Sequence, residues 1–183
     1  ELVGAAAVKS GARFVALYSP PANPWFEKLL VKQRQTLGCE LVPRDASMRS
    51  LFRALEQGKS IGMVMDRRVD SGKPVSFFGE EMSTTLLPAK LALRYGCELV
   101  PVRVERLRDA HYRVTFYPAV KAEDTQADAP TQAMQMAGQV NALFEDWIRA
   151  RPQDWLCTKR LWPSQKVPVT QTANVLDAHS SSA

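Results

Sequence analysis

The sequence predicts an α/β fold in which helices cover both faces of a mixed, largely parallel sheet. Short apolar segments of strand length alternate along the chain with longer amphipathic segments of helix length, and this alternation is typical of parallel sheets. The segment at residues 61–65 is apolar throughout, as expected for a strand that is buried on both faces. A length of 183 residues and an apolar fraction of 45% fit one globular domain, which we place at residues 1–163.

The first half of the chain contains six predicted elements. They are a helix at residues 1–10, a strand at 13–18, a helix at 24–37, a strand at 39–42, a helix at 48–57 and a strand at 61–65. Asn23 and Ser47 are placed to cap the second and third of these helices. Pro24 is suited to the first position of a helix because its fixed φ matches the helical value and its missing N–H would have no partner there.

The second predicted helix combines an apolar stripe with basic side chains. The stripe consists of Phe26, Leu29, Leu30 and Leu37. Lys28 and Lys32 lie one turn apart on the helix, as Arg49 and Arg53 do on the next helix. A solvated face is the favoured interpretation of such pairs. If the pairs share one surface, the alternative is contact with anionic lipid.

The second half of the chain continues the alternation and ends in a polar tail. Its predicted elements are a helix from Thr84 or Thr85 to Gly96, strands at residues 99–104 and 112–117, a polar loop at 121–130 and a helix from Thr131 to Pro152. Residues 164–183 are polar and contain several serines, so we expect a disordered tail there.

The charge and the cysteines narrow the classes of function. Lys and Arg outnumber Asp and Glu by 24 to 19, and the resulting net charge of +5 favours nucleic acid, an anionic membrane or a phosphorylated ligand as partner. The three cysteines are far apart and form no CxxC pair, which argues against a zinc site and a disulfide framework and favours a reducing compartment. No apolar segment approaches the roughly 20 residues of a membrane-spanning helix.

The stretch GMVMDRRVDSGKPVSFFG, at residues 62–79, brings an acid, two arginines and two aromatic residues close together in the sequence. Asp66 follows the predicted buried strand, at the end where α/β sheets hold ligands. Arg67 and Arg68 are suited to clamp phosphate or carboxylate groups, and Phe77 and Phe78 are suited to line an apolar channel. An amphiphile with a phosphorylated head would use both. A solvated turn beside two core rings explains the same residues about equally well.

No complete catalytic constellation is visible in the sequence. The two histidines, His111 and His179, lie in no sequence context typical of a nucleophile–base pair and are interpreted as surface residues. The chain also lacks a Gly-rich phosphate loop of the Walker type and an HExxH motif. We predict neither a bound metal nor a cofactor.

A set of short motifs in a fixed order extends over nearly the whole chain, as far as Pro163. The motifs are Tyr18 and Pro20 with Asn23 and Pro24; Met48 and Arg49 with residues 55–58; Asp66 with residues 74–79; Thr84 and Thr85; residues 99–102; Asn141 and Glu145; residues 151–156; and Arg160 with Trp162. In this order and spacing they resemble the bacterial lipid A acyltransferases, the Kdo-dependent lauroyl and myristoyl transferases of lipopolysaccharide synthesis. The hallmark of that family is a His-x4-acid motif, and Glu1 with the residues after it resembles the end of that motif.

The resemblance implies a glycerolipid-acyltransferase-like fold and an acyltransferase activity. The enzyme would move a fatty acyl chain from acyl carrier protein to a hydroxyl group of a phosphorylated lipid A precursor, at the cytoplasmic face of the bacterial inner membrane. It implies that Glu1 is a catalytic residue, which orients a general-base His located upstream of it. The substrate-binding residues would be Asp66, Arg67, Arg68, Phe77, Phe78, Thr84 and Thr85. The acyl chain length, the acceptor hydroxyl and the oligomeric state stay open.

Two other classes of function compete with the enzyme. A basic nucleic-acid-binding module would expose aromatic and basic residues together on one strand face, and the strand at residues 13–18 shows that pattern only weakly. A non-catalytic lipid-binding domain would keep the clamp and the channel without the upstream His. The resemblance favours the enzyme, with a membrane surface and not nucleic acid as its partner.

Overall fold

A three-stranded parallel sheet organises the first half of the molecule. The computed structural model describes residues 2–18, 20–36, 38–43, 48–157 and 160–162, without the side chains of residues 33–35. The elements are α1 (Leu2–Lys9), β1 (Phe14–Tyr18), α2 (Pro24–Gln35), β2 (Glu40–Pro43), α3 (Met48–Glu56), β3 (Ser60–Gly62), β4 (Lys73–Phe77), β5 (Glu80–Thr84), α4 (Leu87–Tyr95), β6 (Val102–Arg106), β7 (Tyr112–Phe116), α5 (Ala129–Ala150) and a 3₁₀ turn (Pro152–Asp154).

The parallel sheet places three strand ends at one edge. β1 lies in the centre, with β2 and β3 parallel to it on either side. α2 and α3 supply the crossover connections that parallel strands require. Tyr18, Pro43 and Gly62 end their strands at the same edge of the sheet. The predicted α/β class is confirmed.

The predicted strand at residues 61–65 is wrong in extent and in burial. β3 covers Ser60–Gly62 and lies at the edge of the sheet, where β1 is its only partner among the described strands. The chain leaves the sheet after Gly62, which is opposite Ala16. Val64 is 68% exposed, whereas Met65 enters the core of the second half. The apolar run at residues 61–65 therefore belongs partly to a strand and partly to the segment that follows it. The apolar pattern is the same in both parts, so periodicity alone predicts one continuous strand.

Residues 73–84 form a β-hairpin, and neither of its strands was predicted from the sequence. β4 and β5 pair antiparallel, with Phe77 opposite Glu80. Phe78 and Gly79 form the two-residue turn and both have positive φ, 56° and 80°, as a type I′ turn requires. Phe is an unusual residue at positive φ, so the turn is difficult to recognise from the sequence.

Two helix starts differ from their predictions. Thr84 is the last residue of β5, and α4 begins at Leu87, whose N–H is accepted by the Thr85 hydroxyl. Asp128, not Thr131, caps α5, because its carboxylate accepts the Thr131 N–H at 2.9 Å. This hydrogen bond holds the pKa of Asp128 below its ordinary value. Gly96 closes α4 in the left-handed conformation, as predicted.

The second half carries the larger core. Its main cluster joins α4 and α5 to the segments around them: Met65, Val75, Leu86, Ala89, Ala92, Val120, Ala133, Met136, Ala137 and Val140. The parallel sheet has a smaller cluster, formed by Val15, Val42, Leu51 and Ala54. The sheet of the first half is thus less completely covered than α5.

Several predictions fall on residues that the structure does not describe. The catalytic Glu1, the Ser47 cap and the polar tail at residues 164–183 lie outside the described ranges and stay predictions. Among the helices in those ranges, none is both long and apolar enough to span a membrane.

Candidate functional site

Asp66 lies where the sequence placed it, just beyond the carboxyl end of β3. Its side chain is half-buried. One carboxylate oxygen, Oδ2, accepts a hydrogen bond from the Trp155 indole N–H at 3.2 Å. The other oxygen has no hydrogen-bond partner within the described ranges, so it is available to accept a hydrogen bond from a ligand hydroxyl.

An ion pair after α5, between Arg151 and Asp154, restrains Trp155. Arg151 Nε lies 2.7 Å from Asp154 Oδ2 in an ion pair that lacks the alignment of a hydrogen bond. Arg151 also donates through Nη2 to the Arg106 carbonyl at 2.9 Å, which ties the 3₁₀ turn to β6. Because Trp155 directly follows this turn, the two contacts of Arg151 limit the positions that the Trp155 indole can take.

The two predicted clamp arginines are in different surroundings. Both are exposed. Arg68 forms an ion pair with Asp70 at 3.2 Å, and the Asp70 side chain is 92% exposed. Arg67 has no ion pair or hydrogen bond to any described residue, and it lines a cleft beside Asp66. Arg67 is therefore the better placed of the two to receive an anion.

The two predicted channel rings belong to an aromatic cluster. Phe77 is fully buried with Met82 and Leu161, and its centroid is 4.8 Å from that of Phe78. Phe78 is half-buried, and the Arg149 guanidinium lies 4.9 Å from its ring centroid. Trp155 packs against both rings at 6.1 Å. The cluster supports the indole that contacts Asp66, and neither Phe lines the cleft.

Thr84 and Thr85 also differ in their surroundings. Thr84 is fully buried, donates to the Met82 carbonyl and accepts from Asn141 Nδ2 at 3.3 Å. Thr85 is half-buried, lines the cleft and accepts a hydrogen bond from the N–H of Leu87, the first residue of α4. Of the predicted substrate-binding residues, the structure brings Asp66, Arg67 and Thr85 to the cleft and places the others away from its walls.

Both apolar and charged side chains line the cleft. Its volume is about 1790 Å³. The face of the parallel sheet contributes apolar side chains such as Leu17 and Ile61. Basic side chains also line it, including Arg67, Lys73 and Arg103. A ligand that combines a hydrocarbon chain with an anionic group matches both parts.

Two polar residues of α5 fasten the hairpin that carries the aromatic cluster. Asn141 is fully buried, and its Nδ2 donates to the Ser76 carbonyl at 3.0 Å, while its Oδ1 has no partner among the described residues. One turn later, Glu145 accepts the Phe78 N–H at 2.8 Å. This bond holds the turn residue with positive φ. The sequence showed the Asn-x-x-x-Glu spacing but no reason to connect it with residues 76–78.

The comparison with known families decides the class of the protein. The model of the bacterial lipid A biosynthesis acyltransferases matches residues 1–164. The chain belongs to this family. The predicted resemblance is confirmed. The family is one of acyltransferases, as predicted. The match favours the enzyme over the nucleic-acid-binding alternative.

Curated relatives of this acyltransferase family member come from mycobacteria. The chain is 30% identical over 133 residues to a phosphatidylinositol mannoside acyltransferase of Mycolicibacterium smegmatis, an alignment that covers 69% of this chain and 43% of the relative. It is 29% identical to the protein of the same description from Mycobacterium tuberculosis, with 69% and 42% covered. The chain thus spans less than half the length of these relatives.

Proposed function

We infer that the protein transfers a fatty acyl chain from acyl carrier protein to a sugar-linked hydroxyl group of an anionic glycolipid. One observation carries this proposal: Asp66 and Arg67 line a cleft that is also lined by many apolar side chains. A carboxylate can accept a hydrogen bond from a hydroxyl, and a guanidinium can bind phosphate or carboxylate. The apolar side chains of the lining would hold hydrocarbon.

The chemical step that we propose needs a base near the acceptor hydroxyl. A His upstream of Glu1 would take the proton from this hydroxyl while its oxygen attacks the thioester carbonyl of the donor. The C–S bond then breaks, and the protonated His returns the proton to the leaving thiolate. Glu1 would hold the imidazole in the required tautomer. Asp66 would orient the acceptor, with its Oδ2 occupied by Trp155 and its other oxygen directed to the ligand.

Two acceptors fit this proposal. A lipid A precursor is the first, because the matching family is described as lipid A biosynthesis acyltransferases. A phosphatidylinositol mannoside is the second, because the relatives from mycobacteria carry that description. Both offer sugar hydroxyls beside an anionic group. We place the reaction at the cytoplasmic face of the bacterial inner membrane, where a lipid acceptor and a soluble acyl donor can meet.

The test is acyl transfer by the protein extended upstream through the motif His, with labelled acyl carrier protein as donor and each acceptor in turn. We expect turnover with one of them. Arg67→Ala should raise the acceptor KM about tenfold to hundredfold, the effect of losing a charge-assisted hydrogen bond. Arg68→Ala is the matched control, since Arg68 already pairs with Asp70, and it should change KM little.

Two results would contradict the proposal. No transfer to either acceptor by a folded protein with the motif His would remove the reaction. Equal KM values in wild type and Arg67→Ala, with turnover intact, would remove Arg67 from the acceptor site. Asp66→Asn separates the two roles of the carboxylate: a fall in kcat with unchanged melting indicates orientation of the acceptor, whereas a fall in melting temperature alone indicates a structural role.

A further inference from the structure

α2 leaves large apolar side chains in solvent. Trp25 is 81% exposed, Phe26 is 50% exposed and Leu29 is 48% exposed. None of the side chains described for α2 is buried. The apolar stripe predicted from the sequence is therefore mostly uncovered, since Phe26 and Leu29 belong to it. Scattered exposed apolar residues are ordinary, but three within one and a half helical turns form a patch that suggests a contact surface.

The same side of α2 is basic. Successive residues of a helix are about 100° apart, so Lys32, Trp25 and Leu29 follow one another around the helix, with Lys28 next to Lys32. Both lysines are exposed. The acid of the first turn, Glu27, is half-buried and accepts a hydrogen bond from the Tyr18 hydroxyl at 2.9 Å. The exposed side thus combines apolar and positively charged groups.

α2 begins at the edge of the sheet that carries the candidate site. β1 and β3 are parallel, so Tyr18 and Gly62 end at the same edge. α2 starts a few residues after Tyr18, and Asp66 follows Gly62. Tyr18 lines the cleft and bonds to Glu27 of α2. The first turn of α2 is therefore hydrogen-bonded to a residue that lines the cleft.

We propose that this side of α2, formed by Trp25, Phe26, Lys28, Leu29 and Lys32, is the surface by which the protein rests on a bilayer of anionic phospholipid. A helix of mixed apolar and basic character lies in the plane of a membrane interface, with its rings among the acyl chains and its lysines at the head groups. The proposal rests on the proposed function in one respect: a lipid acceptor explains why the cleft should lie beside a membrane.

The charges distinguish a lipid surface from a second copy of the chain. A two-fold self-contact through this face would place Lys28 and Lys32 of both copies, four positive charges, in one interface. Like charges at the centre of an interface oppose association. An anionic bilayer instead attracts both lysines and accepts the aromatic side chains between its head groups.

The experiment is flotation of the 183-residue chain with vesicles of phosphatidylethanolamine and phosphatidylglycerol, compared with vesicles of phosphatidylcholine alone. We expect binding to the anionic vesicles, weakened by salt. Trp25→Ala should weaken it about tenfold, because an apolar ring leaves the interface. Replacement of Lys28 and Lys32 together by Ala should weaken it about thirtyfold. These side chains are exposed, so the melting temperature should not change.

Leu107 supplies a matched control. It is 48% exposed, as Leu29 is, and it lies in the turn between β6 and β7 beside the exposed Arg106 and Arg108. Leu29→Ala should weaken vesicle binding about fivefold, and Leu107→Ala should leave it unchanged. Equal losses in both variants, or no loss in Trp25→Ala, would overturn the proposal. So would a dimer, seen by sedimentation, that Trp25→Ala dissociates without a change in vesicle binding.

The outcome is separable from that of the proposed function because flotation measures binding without turnover. If the protein binds vesicles through α2 but transfers no acyl group, the proposed reaction is refuted and the membrane-contact surface stands. If the protein transfers an acyl group to an acceptor dispersed in detergent but does not bind anionic vesicles, the membrane-contact surface is refuted and the proposed reaction stands.

Discussion

The two halves of the molecule use their apolar residues differently. In the second half, the hairpin, α4 and α5 bury them in a cluster of ten residues, with Phe77, Met82 and Leu161 in a further cluster. In the first half, the parallel sheet has four buried cluster residues, while α2 exposes its largest side chains. A stripe at helical spacing is therefore core in α5 and surface in α2. Periodicity identifies a helix, whereas burial depends on what packs against it.

The same Phe→Ala change gives the largest expected contrast between the halves. Phe77 is fully buried and Phe26 is 50% exposed. Phe77→Ala should lower the free energy of unfolding by about 3–5 kcal/mol, because it empties a well-packed site. Phe26→Ala should change it by less than about 0.5 kcal/mol. Denaturant unfolding of both variants measures the difference, and similar losses would show that α2 is packed against other residues.

A pair of glycines sharpens the contrast in packing. A Cβ at Gly72 would lie 2.6 Å from the Thr84 carbonyl oxygen, which is backbone of the hairpin and cannot move aside. A Cβ at Gly62 would meet the end of the Phe14 ring, and this half-buried ring can turn outwards. Gly72→Ala should cost about 2–3 kcal/mol and Gly62→Ala about 1 kcal/mol. Thermal melting of the two variants decides, and the reverse order would contradict the account.

Trp155→Phe tests the connection between the halves. The indole of the second half donates to Asp66, which follows the last strand of the first half. Phe keeps a ring against Phe77 and Phe78 but has no N–H. We expect a loss of about 1 kcal/mol in stability and a raised acceptor KM in the extended enzyme. The double variant with Asp66→Asn should add little to either single change, and full additivity would mean that the two side chains act separately.

The smallest effect concerns the helix caps and pH. Asp128 caps α5, and its hydrogen bond to Thr131 lowers its folded pKa below the ordinary value of 3.8. Its stabilisation is therefore complete above that value and is lost as pH falls through the folded pKa. Asn23 caps α2 by accepting the Trp25 N–H at 3.0 Å and does not titrate.

The difference in unfolding free energy between wild type and Asp128→Ala should narrow as the pH falls from neutral to about pH 3. The gap between wild type and Asn23→Ala should stay constant over the same range. A gap at Asp128 that does not narrow in acid would exclude the charged form as the source of the cap's stability.

Local sequence signals were sufficient for much of the fold. Pro24 after Asn23 marks the start of α2, and Gly96 marks the end of α4, because caps depend on a few adjacent residues. The order of short motifs was sufficient for the family. These signals also identified the region of Asp66 and Arg67, since loops after parallel strands converge at one edge of the sheet.

Tertiary contacts decided the rest. The hydrogen bond between Asp66 and Trp155 joins residues 89 positions apart, and the Phe78 turn depends on Glu145 at a separation of 67. Whether an aromatic residue is buried, as Phe77 is, or left in solvent, as Trp25 is, follows from neighbours that are distant in the chain. The sequence by itself therefore determined the helices, most of the strands and the family, because their signals are local. Which side chains reach the cleft was decided only when the folded chain brought distant residues together.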